Sequence, residues 1–221
     1  MHLLERSKIA IIIPAYNESN TIGVVVKKLN KLGKVIVIDD ASKDKTSLIA
    51  KKNGALVVRN KLNKGYDNSI NIGYEEIKKR NFKIFITCDG DGQFYFNDVR
   101  KMIKLFSPKY RVLIGSRNKI IRLSEKIFSL YTKKKFGIID PLCGLKCYNL
   151  EFCKNKKNFD RYNSIGTDLM LQLVKKKKHF KNLNLRIKKR KDTSRFGNSL
   201  ISNFKILRSL LFYIFLYEKK N

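Results

Sequence analysis

Ile9 to Ile13 is an unbroken apolar run that stops at Pro14, and it constrains the fold more than any other stretch. A strand apolar on both sides needs helices over both faces of its sheet, which is the condition of a parallel α/β sheet. The pattern recurs. Thr21 to Leu32 has helical periodicity, Val35 to Ile38 is a second strand ending in Asp39-Asp40, Ser42 to Asn53 is helical, and Ala55 to Val58 is a short third strand. A helix over Asn68 to Arg80 leads to the strand Phe82 to Ile86, then a helix near Asn97 to Phe106 and a strand Arg111 to Ile114. Strands alternating with helices specify a twisted, mostly parallel α/β sheet flanked by helices. The pattern then becomes less regular, with a basic amphipathic stretch from Lys119 to Lys135, a helix over Ser164 to Lys177, and alternation at Leu183, Leu185 and Ile187.

Ligands of such sheets bind outside the carboxyl ends of the strands. Those ends hold Pro14-Ala15-Tyr16-Asn17-Glu18, Asp39-Asp40 and Asp89-Gly90-Asp91-Gly92-Gln93. Two carboxylates at a strand end suit Mg2+ or Mn2+, which take one or two protein carboxylates and complete their shells with water and substrate phosphate. Turns collect the same residues for local hydrogen bonding and positive φ. Asp39-Asp40 also fits a helix cap, and Glu18 a helix-start acid near Thr21. Asp91 fits a purely structural role less well, because Asp89 repels it without a cation. No G-x-G-x-x-G follows the first strand and no P-loop pattern occurs, which removes support for dinucleotide and P-loop readings.

At 221 residues the chain fits one domain, and its formal charge of +31 implies attraction to nucleic acid, an anionic membrane surface or phosphorylated substrates. A nucleic-acid binder makes no use of the ordered acidic clusters, whose charge repels phosphate backbones, so no nucleic-acid partner is expected. Cys88, Cys143, Cys147 and Cys153 lack paired C-x-x-C spacing and no secretory signal is evident; reduced thiols and a cytoplasmic location are expected. Near the C-terminus, Phe204, Leu207 and Leu211 share a helical face with Ile206, Leu210 and Ile214, and Leu210 to Tyr217 is apolar all round. That run is too short for a bilayer, which needs about 20 residues. It fits an interfacial helix, or one docked on its own domain or on a partner.

Taken in order, several motifs resemble the family-two glycosyltransferases, and within them the dolichyl-phosphate mannose synthase and polyprenyl-phosphate glycosyltransferase group. They begin with Ile13-Pro14-Ala15-Tyr16-Asn17-Glu18, Val37-Ile38-Asp39-Asp40-Ala41-Ser42-Lys43-Asp44-Lys45-Thr46 and Asn63-Lys64-Gly65. Asp89-Gly90-Asp91-Gly92-Gln93, Gly115-Ser116-Arg117 and Asp140-Pro141-Leu142-Cys143-Gly144-Leu145-Lys146 follow. Arg195-Phe196-Gly197-Asn198-Ser199 looks like the family's downstream loop with altered spacing. The resemblance implies a GT-A fold: a catalytic domain over 1–200, with a nucleotide-sugar half at 1–115 and an acceptor half at 116–200, and an amphipathic helix over 201–221. It implies an inverting, metal-dependent transfer of a hexose from a UDP- or GDP-linked sugar to a polyprenyl phosphate, at the cytoplasmic face of a membrane. The alternative acceptor is a glycan hydroxyl, as in surface polysaccharide synthesis.

By position, the resemblance implies that Pro14, Ala15, Tyr16 and Glu18 line the nucleoside pocket together with Lys64, and that Asp39 or Asp40 meets base or ribose. Asp89 and Asp91 address metal and diphosphate, and Gln93 the metal or sugar. Arg117, Arg122, Ser124 and Arg195 suit an acceptor phosphate, since guanidinium makes paired charge-assisted bonds to phosphate. A lipid monophosphate, with a second pKa of about 6, attacks without a base, whereas a hydroxyl needs one. Asp140 and Asp168 are the candidates for that base, Asp168 lying at the family's acidic helix position. The span from Arg117 to Asp140 is short for the family and no long transmembrane tail follows, so the acceptor class stays open.

Overall fold

The computed structural model describes residues 5–118, 120, 122–174, 179–188 and 199–218. Its elements are β1 (Ile9–Ala15), α1 (Ile22–Leu29), β2 (Lys34–Asp39), α2 (Thr46–Lys52), β3 (Leu56–Arg59), α3 (Tyr66–Lys78) and β4 (Ile84–Thr87). Then come α4 (Phe96–Leu105), β5 (Val112–Arg117), α5 (Leu123–Phe136), β6 (Lys146–Asn149), α6 (Asp168–Leu173), β7 (Phe180–Leu185) and α7 (Ser199–Glu218). The strands form one sheet in the order β3-β2-β1-β4-β6-β5-β7. All pairings are parallel except those of β6, which runs antiparallel between β4 and β5. This is the α/β sheet that the apolar runs predict, with one strand they do not announce.

Side chains alternate across the sheet, and each face has its own core. Ile9, Ile11, Ile13, Val35, Val37, Ile84 and Ile86 pack with α1 and α4, while Ala10, Ile12, Ile36, Ile38 and Phe85 pack with α3 and α6. On the second face Phe85 stacks on Tyr148 with centroids 4.7 Å apart. Gly73 lets α3 approach β1, since a Cβ there would collide with Ile12 Cγ2.

Two helices start later than their periodicity suggests. Ala41 has a φ of 61° and the Ser42 amide donates to Asp39 Oδ1 at 2.9 Å, so α2 begins only at Thr46. Asn163, Ile165 and Gly166 all have positive φ, which delays α6 to Asp168. At Ile165 the conformation is an outlier for a β-branched side chain, with strain of about 1–3 kcal/mol that surrounding contacts must offset. The C-terminal helix divides its two expectations: Ile206, Leu210 and Tyr213 are buried against the domain, whereas Leu200, Phe204 and Leu211 are exposed.

Candidate active site at the carboxyl edge of the sheet

After β1 the chain runs out to β2 and β3 and returns to β4 on the other side of β1. The strand order reverses there, and reversals open the crevice in which such sheets hold ligands. The loop after β1 is fastened to the loop after β2. Asn17 N donates to Ser42 Oγ at 2.9 Å, Glu18 N to Thr46 Oγ1 at 2.8 Å, and Ser19 N to Asp44 Oδ2 at 3.1 Å. Asn17 takes the left-handed conformation, with φ at 53°, and its Oδ1 accepts from Lys43 N.

Asp39 and Asp40 are both buried and organise these loops. Asp39 accepts from Ser42 N and the Ser47 hydroxyl, with the Arg59 guanidinium 3.7 Å away. Asp40 accepts from Asn60 Nδ2 at 2.7 Å and from the amides of Lys64 and Gly65 at 3.0 and 2.7 Å, which fixes the entry to α3. Pro14 and Tyr16 are half-buried, Ala15 and Glu18 are buried, and the Lys64 side chain is exposed. Glu18 Oε2 lies 3.2 Å from the Thr21 hydroxyl.

Asp89 and Asp91 follow β4, are both half-buried, and line the same cavity. Asp89 rests against Gly144: a Cβ there would stand 2.6 Å from Asp89 Cγ and closer still to both oxygens. The Thr87 hydroxyl donates to the Gly144 carbonyl at 2.8 Å and fixes this approach. Asp91 Oδ1 accepts from Gln93 N at 3.0 Å. The Gln93 amide donates to the Lys188 carbonyl at 3.1 Å, and Lys188 N returns a bond to Gln93 O, tying this loop to the segment after β7. A cavity of about 210 Å3 opens beside the loop, with Asp89, Asp91, Thr21, Phe94 and Lys188 in its wall. It lies on the α1 side and includes none of Pro14, Ala15, Tyr16, Asp39 or Asp40.

Behind Asp89, on the α3 side of the sheet, is a buried polar wall. Lys146 on β6 is only 2% exposed, with Nζ 3.5 Å from the Gly166 carbonyl. Burial pushes its ammonium pKa down, against the pull of Cys143, Asp140 and Asp89. Burial and the Asp89 charge push the Tyr66 phenol up. Asp67 accepts from Gly166 N at 2.8 Å and also from the Ile165 amide. Burial and the charge of Asp160 push Asp67 up to about 7, against those amides and Lys146. Asp160 in turn accepts from Tyr162 N and from the amide and hydroxyl of Ser164. These bonds hold the strained 163–166 backbone that presents Asp168.

Both candidate bases are paired. Asp168 accepts from Arg161 Nε and one Nη at 2.7 and 2.9 Å, and Asp140 accepts from Arg117 Nε and Nη2 at the same two distances. Of the basic residues expected at an acceptor phosphate, Arg117 also lies 3.5 Å from Glu125, Arg122 bonds Glu125 at 3.0 Å, and Ser124 bonds Asn203 of α7 at 2.5 Å. Arg195 lies outside the described residues. Sequence reasoning missed Asp67, Asp160, Lys146 and Arg161, and gave Gly144 no role. A lysine inside a run as apolar as Leu142 to Tyr148 was the one local signal. The four cysteines are buried thiols, with Cys143 pushed up to about 12 by burial.

A doubly covered sheet with acidic loops at its strand reversal is the GT-A fold of nucleotide-sugar transferases. Superposition agrees: glucosyl-3-phosphoglycerate synthase of Mycobacterium tuberculosis, crystallised with Mg2+ and uridine diphosphate, matches with a TM-score of 0.72 over 93% of this chain and 78% of that one, at 16% identity. Mannosyl-3-phosphoglycerate synthase of Rubrobacter xylanophilus also gives 0.72, over 97% and 76%, at 16% identity. At the sequence level, residues 10–192 match the model of glycosyl transferase family 2. The chain belongs to that family and is a glycosyltransferase. An uncharacterized protein of Methanocaldococcus jannaschii is 30% identical over 94% of this chain and 93% of its own length. The UDP-N-acetylglucosamine–dolichyl-phosphate N-acetylglucosaminyltransferase of Methanococcus voltae is 28% identical over 58% of each chain.

Proposed function

We propose that this glycosyltransferase moves a hexose unit from a UDP- or GDP-linked sugar to a polyprenyl phosphate, with inversion at the anomeric carbon and with Mg2+ or Mn2+ bound. The observation that carries the acceptor is the state of the two candidate bases. Asp140 and Asp168 each direct both carboxylate oxygens at an arginine, an arrangement suited to structure rather than to taking a proton from a hydroxyl. A phosphate acceptor is already anionic near neutral pH and needs no base. The Methanococcus relative, named for a dolichyl-phosphate acceptor, supports the same choice.

The donor set fits a hard cation. Asp89 and Asp91 supply two carboxylates, and the Gly144 cradle that a Cβ would fill keeps the first of them aimed at the crevice. A cation held there supplies a Lewis acid and a template for the departing diphosphate. Pro14, Ala15, Tyr16, Glu18 and Lys64 frame the nucleoside, while Asp39 and Asp40 act through the loops they hold. Gln93 fixes the loop that carries Asp91. Of the four residues expected at the acceptor phosphate, Arg122 and Arg195 keep that role, while Arg117, held by Asp140, and Ser124, held by Asn203, shape the site around them. The acceptor oxygen attacks the anomeric carbon from the face opposite the nucleoside diphosphate.

Incubation with labelled UDP- and GDP-sugars and a polyprenyl phosphate should give a lipid-linked product only when Mg2+ or Mn2+ is present. Asp91→Ala should abolish it, and unchanged activity would remove the metal assignment. Asp168→Asn should leave measurable transfer to the lipid phosphate. Complete loss in a folded variant, with transfer by wild type to a free glycan, would favour the hydroxyl acceptor instead.

A further inference from the structure

Of the fifteen large apolar side chains exposed among the described residues, ten stand on α5 and α7. On α5 they are Leu123 and Leu130, each 70% exposed, with Ile127 between them. On α7, Leu200, Phe204, Leu207, Leu211 and Phe215 recur at helical spacing, with Leu200 at 82% and Phe204 at 70%. Such a concentration of exposed apolar surface marks an interaction site rather than ordinary surface.

The two helices pack side by side and in parallel. Ser124 bonds Asn203, Phe128 packs with Ile206 and Leu210, and Tyr131 and Phe136 both meet Tyr213. On α5 the exposed residues come one position before the packed ones, as in Leu123 and Ser124, Ile127 and Phe128, Leu130 and Tyr131. On α7 they come one position after, as in Asn203 and Phe204, Ile206 and Leu207, Leu210 and Leu211. One residue is a rotation of about 100°. Opposite offsets on facing parallel helices therefore turn both apolar stripes to the same side of the molecule, making one continuous face.

We infer that α5 and α7 together form a docking face that lies in the headgroup region of an anionic lipid bilayer. Charge selects this occupant. Lys126, Lys133, Lys134 and Lys135 on α5, and Lys205 and Arg208 on α7, are exposed around the apolar stripes, the composition of helices that lie in a membrane interface. A second copy is a poor occupant, since each chain carries a formal +31 and the copies repel. No described helix is long and apolar enough to cross a membrane, so the face would lie on the bilayer. The inference rests on the lipid-phosphate reading for its purpose: α5 begins at Leu123, directly after Arg122, and docking would set that arginine at the depth of a lipid phosphate.

Sedimentation with vesicles tests it. The full chain should bind vesicles of phosphatidylcholine with phosphatidylglycerol, bind phosphatidylcholine alone much more weakly, and release as salt rises. Ile127→Ser with Leu130→Ser on α5, and Phe204→Ser with Leu211→Ser on α7, should each weaken binding about tenfold, with circular dichroism unchanged. Leu48→Ser, which removes an exposed leucine elsewhere, should have no effect. Vesicle binding unaffected by the α5 pair would overturn the inference. So would a wild-type dimer, seen by sedimentation velocity, that the same substitutions convert to monomer without changing vesicle binding. Transfer to a short water-soluble prenyl phosphate separates this test from the functional reading, because the substituted proteins should retain it. Loss of vesicle binding by wild type with that transfer intact defeats the docking face alone; intact vesicle binding without transfer defeats the acceptor assignment alone.

Discussion

Gly144→Ala isolates the placement of one carboxylate. A Cβ at this position would lie 2.6 Å from Asp89 Cγ, against ordinary contacts of 3.4 Å or more, so the carboxylate must move by about 1 Å. Gly144 is not among the residues with positive φ, so the backbone accepts alanine, and the group that yields is the end of a short side chain. The fold should therefore survive while the site does not. Misplacing a catalytic group by about 1 Å costs up to about a hundredfold in rate, or about 2.7 kcal/mol of transition-state stabilisation. The assay compares kcat/KM for transfer, calorimetric binding of uridine diphosphate with Mn2+, and the urea midpoint. The expected pattern is a large loss in the first two with little change in the third. Activity within a few-fold of wild type in a folded variant would refute the claim that the Gly144 cradle aims Asp89.

Asp67→Asn should change the pH dependence of stability. Between the ordinary carboxyl value of 3.8 and about 7, the native state holds a proton that the unfolded chain has released, so stability falls as pH rises through that window. A displacement of this size is worth at most about 4 kcal/mol, so the variant should be the more stable protein at about pH 8 and show a flatter profile; a wild-type slope in urea denaturation would rule this out. Asp140→Asn leaves Arg117 largely buried with Glu125, at 3.5 Å, as its remaining carboxylate among the described residues, and should cost about 3 kcal/mol. A change below about 1 kcal/mol would mean the pair is not structural. Gly73→Ala gains about 1 kcal/mol of helix propensity but drives a methyl into Ile12, which costs about 1–3 kcal/mol. Net destabilisation by chemical denaturation is expected, and a stabilised variant would show that α3 can move off the sheet.

The elements that sequence revealed are those whose signal is local. Ile9 to Ile13 and Val35 to Ile38 are apolar because both faces of each strand are covered, and that requirement is written into consecutive residues. Pro14 to Glu18, Asp39-Asp40 and Asp89 to Gln93 follow, since strand ends in such a sheet converge on one edge whatever the loop details. β6 escaped because Lys146–Asn149 reads Lys-Cys-Tyr-Asn, short and without period, and becomes a strand only by pairing with β4, some 60 residues earlier, and with β5.

What only the tertiary structure decided is how each charged group is used. The sequence offers Asp168 and Asp140 as bases and Arg117 as a phosphate ligand, yet it does not show that Arg161 and Arg117 take up those carboxylates. Nor does it show that Asp67 reaches 99 positions along the chain to hold Gly166, or that Gly144 is the seat of Asp89. Backbone preference and apolar period act between neighbours in the chain, so the sequence alone determined the sheet and its reactive edge. Hydrogen bonds and ion pairs form between neighbours in space, and the folded chain alone determined which of its acids are occupied in holding the site together and which face the crevice.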